Sequence, residues 1–494
     1  MTAARARSAI LCAAALLAPV AAAAQGWRVR LDANAQSVSY RGWQMDSIPS
    51  GSVVSGPGGG PTTPDGYAVA CDGGAYCVFF RPGGRQASTP GVVDADATMW
   101  GLGVAGLSLH GHARVGGDLG SGGAWPGPDR TFELVEGYAD YDHGGWGLRL
   151  GRQITDGRLG RYGFDGLAAT ARDRSRRLTA EVYGGWGLGR AANVPVTSGA
   201  LDPLNDFQPS RSQLFVGGAA RYSGTAGDIA AEYLRLTDAL HYGIDQERVG
   251  MSGDARIPRT SLALTADVQY DLAAGLWGSW DLGARWLARP VTVSATVRQY
   301  RPIFDLWSIW QAFSPLPYHA VDGAVSWTVV PRLSIQWQGE RYWYPPAGVN
   351  TPLTSFTDHG WRSSVAVSWL ASDRVTTSAG WNAELGPGAG SQGWNGALTW
   401  RTGSRISLSA HGGTLDRPLE YRYDVASLAW YGASADLRLN ERLRLGANLD
   451  RWNEDRSRPD AAGISWDQTR FSVSANWILV SDADRLPLPP ARVP

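Results

Sequence analysis

The chain has 494 residues, 45 basic and 45 acidic side chains, and only 18% charged residues, against about 25% in an average soluble protein. Zero net charge argues against a nucleic-acid binder held by a basic field. Beyond the extreme N-terminus there is no apolar run of about 20 residues, which excludes a helical membrane protein.

At the start, Arg5 and Arg7 precede an apolar segment from Ala9 to Val20, and Ala22-Ala23-Ala24 precede Gln25. Positive flank, apolar core and small residues in that order are a secretory signal, so residues 1–24 are expected to be removed and the mature chain to begin near Gln25. Cys12 lies inside the segment after bulky Leu11, which does not fit a lipid anchor. Residues 46–91 read as a Gly- and Pro-rich external loop holding the two mature cysteines. An even pair in an exported chain predicts a Cys71–Cys77 disulfide. Neither cysteine belongs to a haem-attachment motif, and no cofactor is expected.

From residue 92 onward the chain is a series of period-two segments. The stretch 92–119 divides into two strands if Ala105-Gly106 turns a hairpin. Gly101 to Gly106 also matches G-x-G-x-x-G, but no helical period follows, so a barrel turn accounts for the glycines. His110 and His112 fall on one face of a strand, and no third metal ligand accompanies them.

Next come Gly151-Arg152-Gln153, Asp156-Gly157-Arg158 and Phe164-Asp165-Gly166. Their spacing resembles the G-R-Q, G-D-G-R and F-D-G pattern of the alginate-export and related substrate-channel families of outer-membrane barrels. The resemblance implies two strands joined by an external loop, with Arg152, Arg158 and Asp165 lining the pore. The chain departs from the family pattern in having no lysine and in continuing past Trp477 into a Pro-rich stretch.

Further along, Leu262, Leu264, Ala266, Val268 and Tyr270 alternate with Ser261, Ala263, Thr265, Asp267 and Gln269, and the same dyad recurs at 291–298, 333–340, 378–385 and 471–479. Segments of about ten residues cross a bilayer as tilted strands. Short turns at 223–227, 331–332, 372–373, 402–404 and 440–441 alternate strictly with longer linkers at 188–211, 302–318, 342–359, 386–392 and 453–463. This predicts an all-β fold: an antiparallel transmembrane β-barrel of about 22 strands (range 18–22) over residues 25–480, with short periplasmic turns and long external loops. Residues 481–494 form a Pro-rich periplasmic tail.

Arginine on the lipid face costs about 2–4 kcal/mol at the midplane, so the polar face lines the lumen. That places Arg149, Glu181, Asp267, Asp281, Arg285, Arg298, Asp322, Glu340, Glu384, Arg401, Asp436, Arg438, Arg444 and Asp450 inside, mostly as wall-bracing ion pairs. Trp286, Trp327, Trp369, Trp400 and Trp477 read as interfacial girdle. Within the linker 302–318, Leu306, Ile309, Trp310 and Phe313 have helical spacing. Asp305 to Phe313, including Trp307, either folds inward as a constriction or packs on its own aromatics above the rim.

A barrel of this size encloses an aqueous lumen unless something fills it. The expected function is passage of small solutes through the outer membrane of a Gram-negative bacterium, with lipid and the barrel-assembly machinery as partners and no catalytic motif. The alternative is a structural sleeve around an exported multihaem cytochrome.

Overall fold

The computed structural model describes residues 26–56, 59–120, 132–175, 177–188, 213–238, 243–301, 317–345, 358–386, 389–416, 425–458 and 461–481. Residues 1–25 and 482–494, which carry the signal and most of the tail, lie outside the described residues.

Twenty-two antiparallel strands form a closed wall. In chain order they are β1 (Gly26–Pro49), β2 (Tyr76–Ser88 continuing as Pro90–Trp100), β3 (Leu107–Asp118), β4 (Phe132–His143), β5 (Trp146–Gly157), β6 (Gly160–Arg172), β7 (Leu178–Gly187), β8 (Gln213–Ser223), β9 (Gly227–Asp238), β10 (Ile244–Arg256) and β11 (Leu262–Asp271). The second half comprises β12 (Leu276–Ala288), β13 (Val291–Tyr300), β14 (Tyr318–Val330), β15 (Leu333–Trp343), β16 (His359–Ser372), β17 (Val375–Gly386), β18 (Ala389–Thr402), β19 (Ile406–Asp416), β20 (Val425–Arg438), β21 (Leu443–Arg458) and β22 (Ala461–Val480). Each pairs with the next, and β1 closes on β22 from Arg28 opposite Val480 to Tyr40 opposite Gln468. Closure leaves no continuous free edge, which is what lets a sheet span a membrane with its backbone hydrogen bonds internal.

The even strand count puts both ends of the wall on one side. Connections on that side are short: 101–106, 144–145, 173–177, 224–226, 257–261, 289–290, 331–332, 373–374, 403–405 and 439–442. The long linkers 50–75, 119–131, 188–212, 301–317, 344–358 and 417–424 all leave the opposite side. The expected strict alternation does not hold, however. Gly386 is paired with Ala389 and Arg458 with Ala461. Two of the expected long linkers are therefore tight connections between strands that extend further than the dyad indicated. The expected loop 46–91 is likewise shorter, because 46–49 lie in β1 and 76–88 and 90–91 in β2.

The turn at 101–106 joins β2 to β3, as the hairpin reading of 92–119 requires. Gly101, Gly103 and Gly106 adopt φ of 74°, 85° and 85°, a left-handed conformation that side chains resist. The outer face is apolar: Leu148, Val182, Leu264, Leu282, Val297, Val321, Leu398 and Val473 are exposed there, with Trp286, Trp327, Trp369, Trp400 and Trp477 along the short-turn margin. Cys71 and Cys77 are disulfide-bonded with Cα atoms 4.4 Å apart.

Candidate lumenal constriction

Between β4 and β5 the described strands part. The β4–β5 ladder ends at Gly137 opposite Arg152, while β4 continues along β3 to Phe132 and β5 continues along β6 to the Gly157–Gly160 turn. On the other flank, the β6–β7 ladder ends at Phe164 opposite Gly187, followed by one bond from Leu188 N–H to the Gly163 carbonyl. The tip of the β5–β6 hairpin has thus left β4, and it runs on past the last described pair of β7.

A row of glycines allows this departure. Gly151 pairs with Gly166, and Gly166 with Gly185. A Cβ on Gly151 would stand 2.3 Å from the Gly137 carbonyl oxygen, and one on Gly166 would stand 2.1 Å from that of Gly184 and 2.7 Å from Gly185 Cα. Backbone approaches backbone with no room for a side chain, the condition under which glycine marks a sharp bend in a sheet.

Beyond the bend the tip lies against the inner faces of β9, β10 and β11. The Glu232 carboxylate accepts the backbone N–H groups of Arg158 and Leu159 at 2.8 and 3.2 Å. Arg158 forms an ion pair with Asp267, and Gln269 donates to the Arg158 carbonyl at 3.2 Å. Leu159 sits on Gly250, where a Cβ would come within 2.9 Å of its side chain. Beneath the tip, Leu159, Phe164, Phe215, Leu234 and Leu236 form a buried cluster, with Tyr162 and Tyr183 packed against it. Phe215 and Phe164 have ring centroids 5.0 Å apart, and Phe215 and Tyr183 5.3 Å. Arg248 and Gln246, both buried, bond the Tyr162 hydroxyl.

From the tip a belt of charge runs round the wall. Asp267 stands opposite Asp281, and Asp281 opposite Arg298. Asp322 stands opposite Glu340, Glu340 opposite Arg362, and Arg362 opposite Glu384. Like charges directly across a ladder are mutually destabilising, and the arginines offset them. Arg298 and Arg362 both pair with Glu340, whose side chain is buried between them.

The residues anticipated from sequence therefore fall into distinct places. Arg158, Asp267, Asp281, Arg298 and Glu340 come together on this belt. Arg149 lies below the bend on the inner face, 3.4 Å from Asp140 and over the Tyr138 ring. Arg285 faces inward nearer the short-turn side, between Ala263 and Ser294 of its neighbours. Arg152 and Asp165 share strand parity with exposed Leu150 and Leu167, opposite to buried Gln153 and Phe164. They pair with each other at 2.8 Å, and Arg152 also donates to the Leu134 carbonyl at the fork. This corrects their expected place on the pore wall: a residue two positions from Leu150 takes the same face as Leu150, and Arg152 caps the edge of β4 that β5 has left. Asp305, Leu306, Trp307, Trp310 and Phe313 lie outside the described residues. His110 and His112 face inward beside Asp96, Glu136 and Asp94, at 3.6, 3.7 and 3.1 Å.

Sequence reasoning passed over Glu232, Leu159, Gly250 and the aromatic cluster. One signal was present: Phe215, between outward Leu214 and Val216, and Leu234 with Leu236 put apolar side chains on the inner face, where the dyad elsewhere puts polar ones.

No family model matches the chain, and no curated protein matches it. Among solved structures it is similar to the siderophore receptor PirA from Pseudomonas aeruginosa, with 13% identity, TM-score 0.48, and coverage of 91% of this chain and 80% of that one. It is also similar to the P pilus usher translocation pore, with 10% identity, TM-score 0.44, and coverage of 91% and 99%. A BenF-like porin from Pseudomonas fluorescens has 11% identity, TM-score 0.40, and coverage of 92% and 99%. Likeness at this level assigns neither family nor substrate, and the functional reading rests on the barrel's own geometry.

Proposed function

We propose that the protein is a channel for small solutes in the outer membrane of a Gram-negative bacterium, and that the inward-folded β5–β6 hairpin sets its bore. The observation that carries this reading is the docking of the hairpin tip on β9 to β11 through Glu232, Asp267 and Gly250. A closed wall of 22 strands is wide enough to hold water, and a hairpin laid across its inner face narrows it at the charged belt. The hairpin also favours a channel over a sleeve for a cytochrome, because it occupies space that a sheathed protein would need. The long-linker side is then external and the short-turn side periplasmic, and assembly machinery would receive the chain through its last strand.

The test replaces 154–163 with a two-residue turn and measures unitary conductance of the purified barrel in planar bilayers. Conductance should rise, with the heat-modifiable fold retained. A folded variant with unchanged conductance would place the limiting constriction elsewhere, and a wild-type barrel passing no current would sink the channel reading.

A further inference from the structure

Above the charged belt, three tyrosines on the inner face of β13, β14 and β15 meet a fourth, Tyr344, just past the end of β15. Ring centroids are 5.3 Å apart for Tyr300 and Tyr318, 5.6 Å for Tyr318 and Tyr342, 5.8 Å for Tyr318 and Tyr344, and 6.0 Å for Tyr342 and Tyr344. Tyr342 is the floor of the group. It is 6% exposed, its hydroxyl donates to Glu384 at 2.9 Å, and its ring end fills space left by Gly360 and Gly386, where a Cβ would come within 2.5 and 2.0 Å of it. Tyr300, by contrast, is 44% exposed, and Tyr318 and Tyr344 are partly open. Arg362 donates to the Tyr318 hydroxyl at 3.2 Å and lies over the Tyr342 ring.

We propose that this tyrosine wall, with the charged belt at its foot, is a binding subsite for a neutral saccharide on its way through the channel. The inference rests on the channel reading and adds its substrate class. A pyranose offers a face of C–H groups that stacks on an aromatic ring, and an edge of hydroxyls that needs donors and acceptors. The wall supplies both, since open tyrosine faces stand directly above guanidinium groups of Arg298 and Arg362 and carboxylates of Asp322, Glu340 and Glu384. An aromatic hydrocarbon would satisfy the rings but displace water from the remaining donor and acceptor positions of these groups without replacing it, which is costly. An anionic sugar meets three carboxylates against two arginines, and those arginines already share Glu340. The local balance therefore favours an uncharged ligand.

The experiment adds a neutral linear glucose oligosaccharide, or a uronic-acid oligosaccharide of equal length, to single barrels in planar bilayers. It counts interruptions of the current and titrates the same detergent-solubilised barrel calorimetrically. The neutral sugar should interrupt current and release heat more than the anionic one. Tyr300→Ala should weaken it about three- to tenfold, the range expected for one ring contact. Tyr300→Phe should retain binding, because the hydroxyl is not the stacking element. Stronger interruption by the uronic-acid probe, or neutral binding indifferent to Tyr300→Ala, would overturn the proposal. Heat without any current would refute the channel and leave the subsite standing, whereas current without interruption or heat would refute the subsite alone.

Discussion

Removing the carboxylate that holds the hairpin tip, by Glu232→Ala, tests whether the inward fold is a docked element with a definite stability. Glu232 accepts two backbone N–H groups, those of Arg158 and Leu159. Arg158 is exposed, so water can take over its amide, whereas Leu159 is 5% exposed and its amide would be left without an acceptor. One buried orphan donor costs about 1–3 kcal/mol, which shifts the docked population by roughly five- to 150-fold at 1.4 kcal/mol per decade. Arg158–Asp267 and the packing of Leu159 on Gly250 remain, so the tip should open more often without leaving the lumen for good. Hydrogen exchange of the peptide covering 154–163 should accelerate within that range, and single-channel records should become noisier. Glu232→Gln keeps an acceptor oxygen and should fall between the two. If exchange at Leu159 is unchanged in Glu232→Ala while the barrel remains folded, the carboxylate does not hold the tip and the docking argument fails.

Two further outcomes concern the wall and its first loop. Phe471 faces outward on β22 opposite Leu449 and Ser37, one aromatic step inside the margin marked by Trp477. Phe471→Arg should cost about 2–4 kcal/mol if this level is near the midplane, and should sharply lower the heat-modifiable fraction on a denaturing gel; normal insertion would mean that the face is not in lipid. The Cys71–Cys77 ring encloses a short segment beside the first residues of β2. Cys71→Ser with Cys77→Ser should therefore speed proteolysis within 50–75 while leaving the barrel's unfolding temperature nearly unchanged, because a small ring removes little chain entropy. A large drop in that temperature would show the loop to be part of the folding core.

What the sequence determined by itself was the wall. Alternation of apolar and polar residues is a local property of an extended chain. Thr265, Asp267 and Gln269 had to face away from Leu264, Ala266 and Val268 in any sheet that put the latter in lipid. The glycines at 101–106 announced a turn for the same local reason, and an even number of strands followed from closure with both ends on one side. Residues 386–392 and 453–463 look like long linkers in sequence yet pair almost throughout, because strands can run beyond the membrane, where the apolar half of the dyad is no longer needed. The inward hairpin was decided only in three dimensions. Gly137, Gly151, Gly166 and Gly185 are far apart in the chain and become a single bend when their strands align. Glu232, Asp267 and Gly250 become a docking surface only because closure curls β9 to β11 round to meet the tip. Arg152 and Asp165 show the same limit from the other side. Their motif resembles a pore lining, but the face a strand residue takes depends on its register with neighbours, and that register places them at the fork where β5 leaves β4.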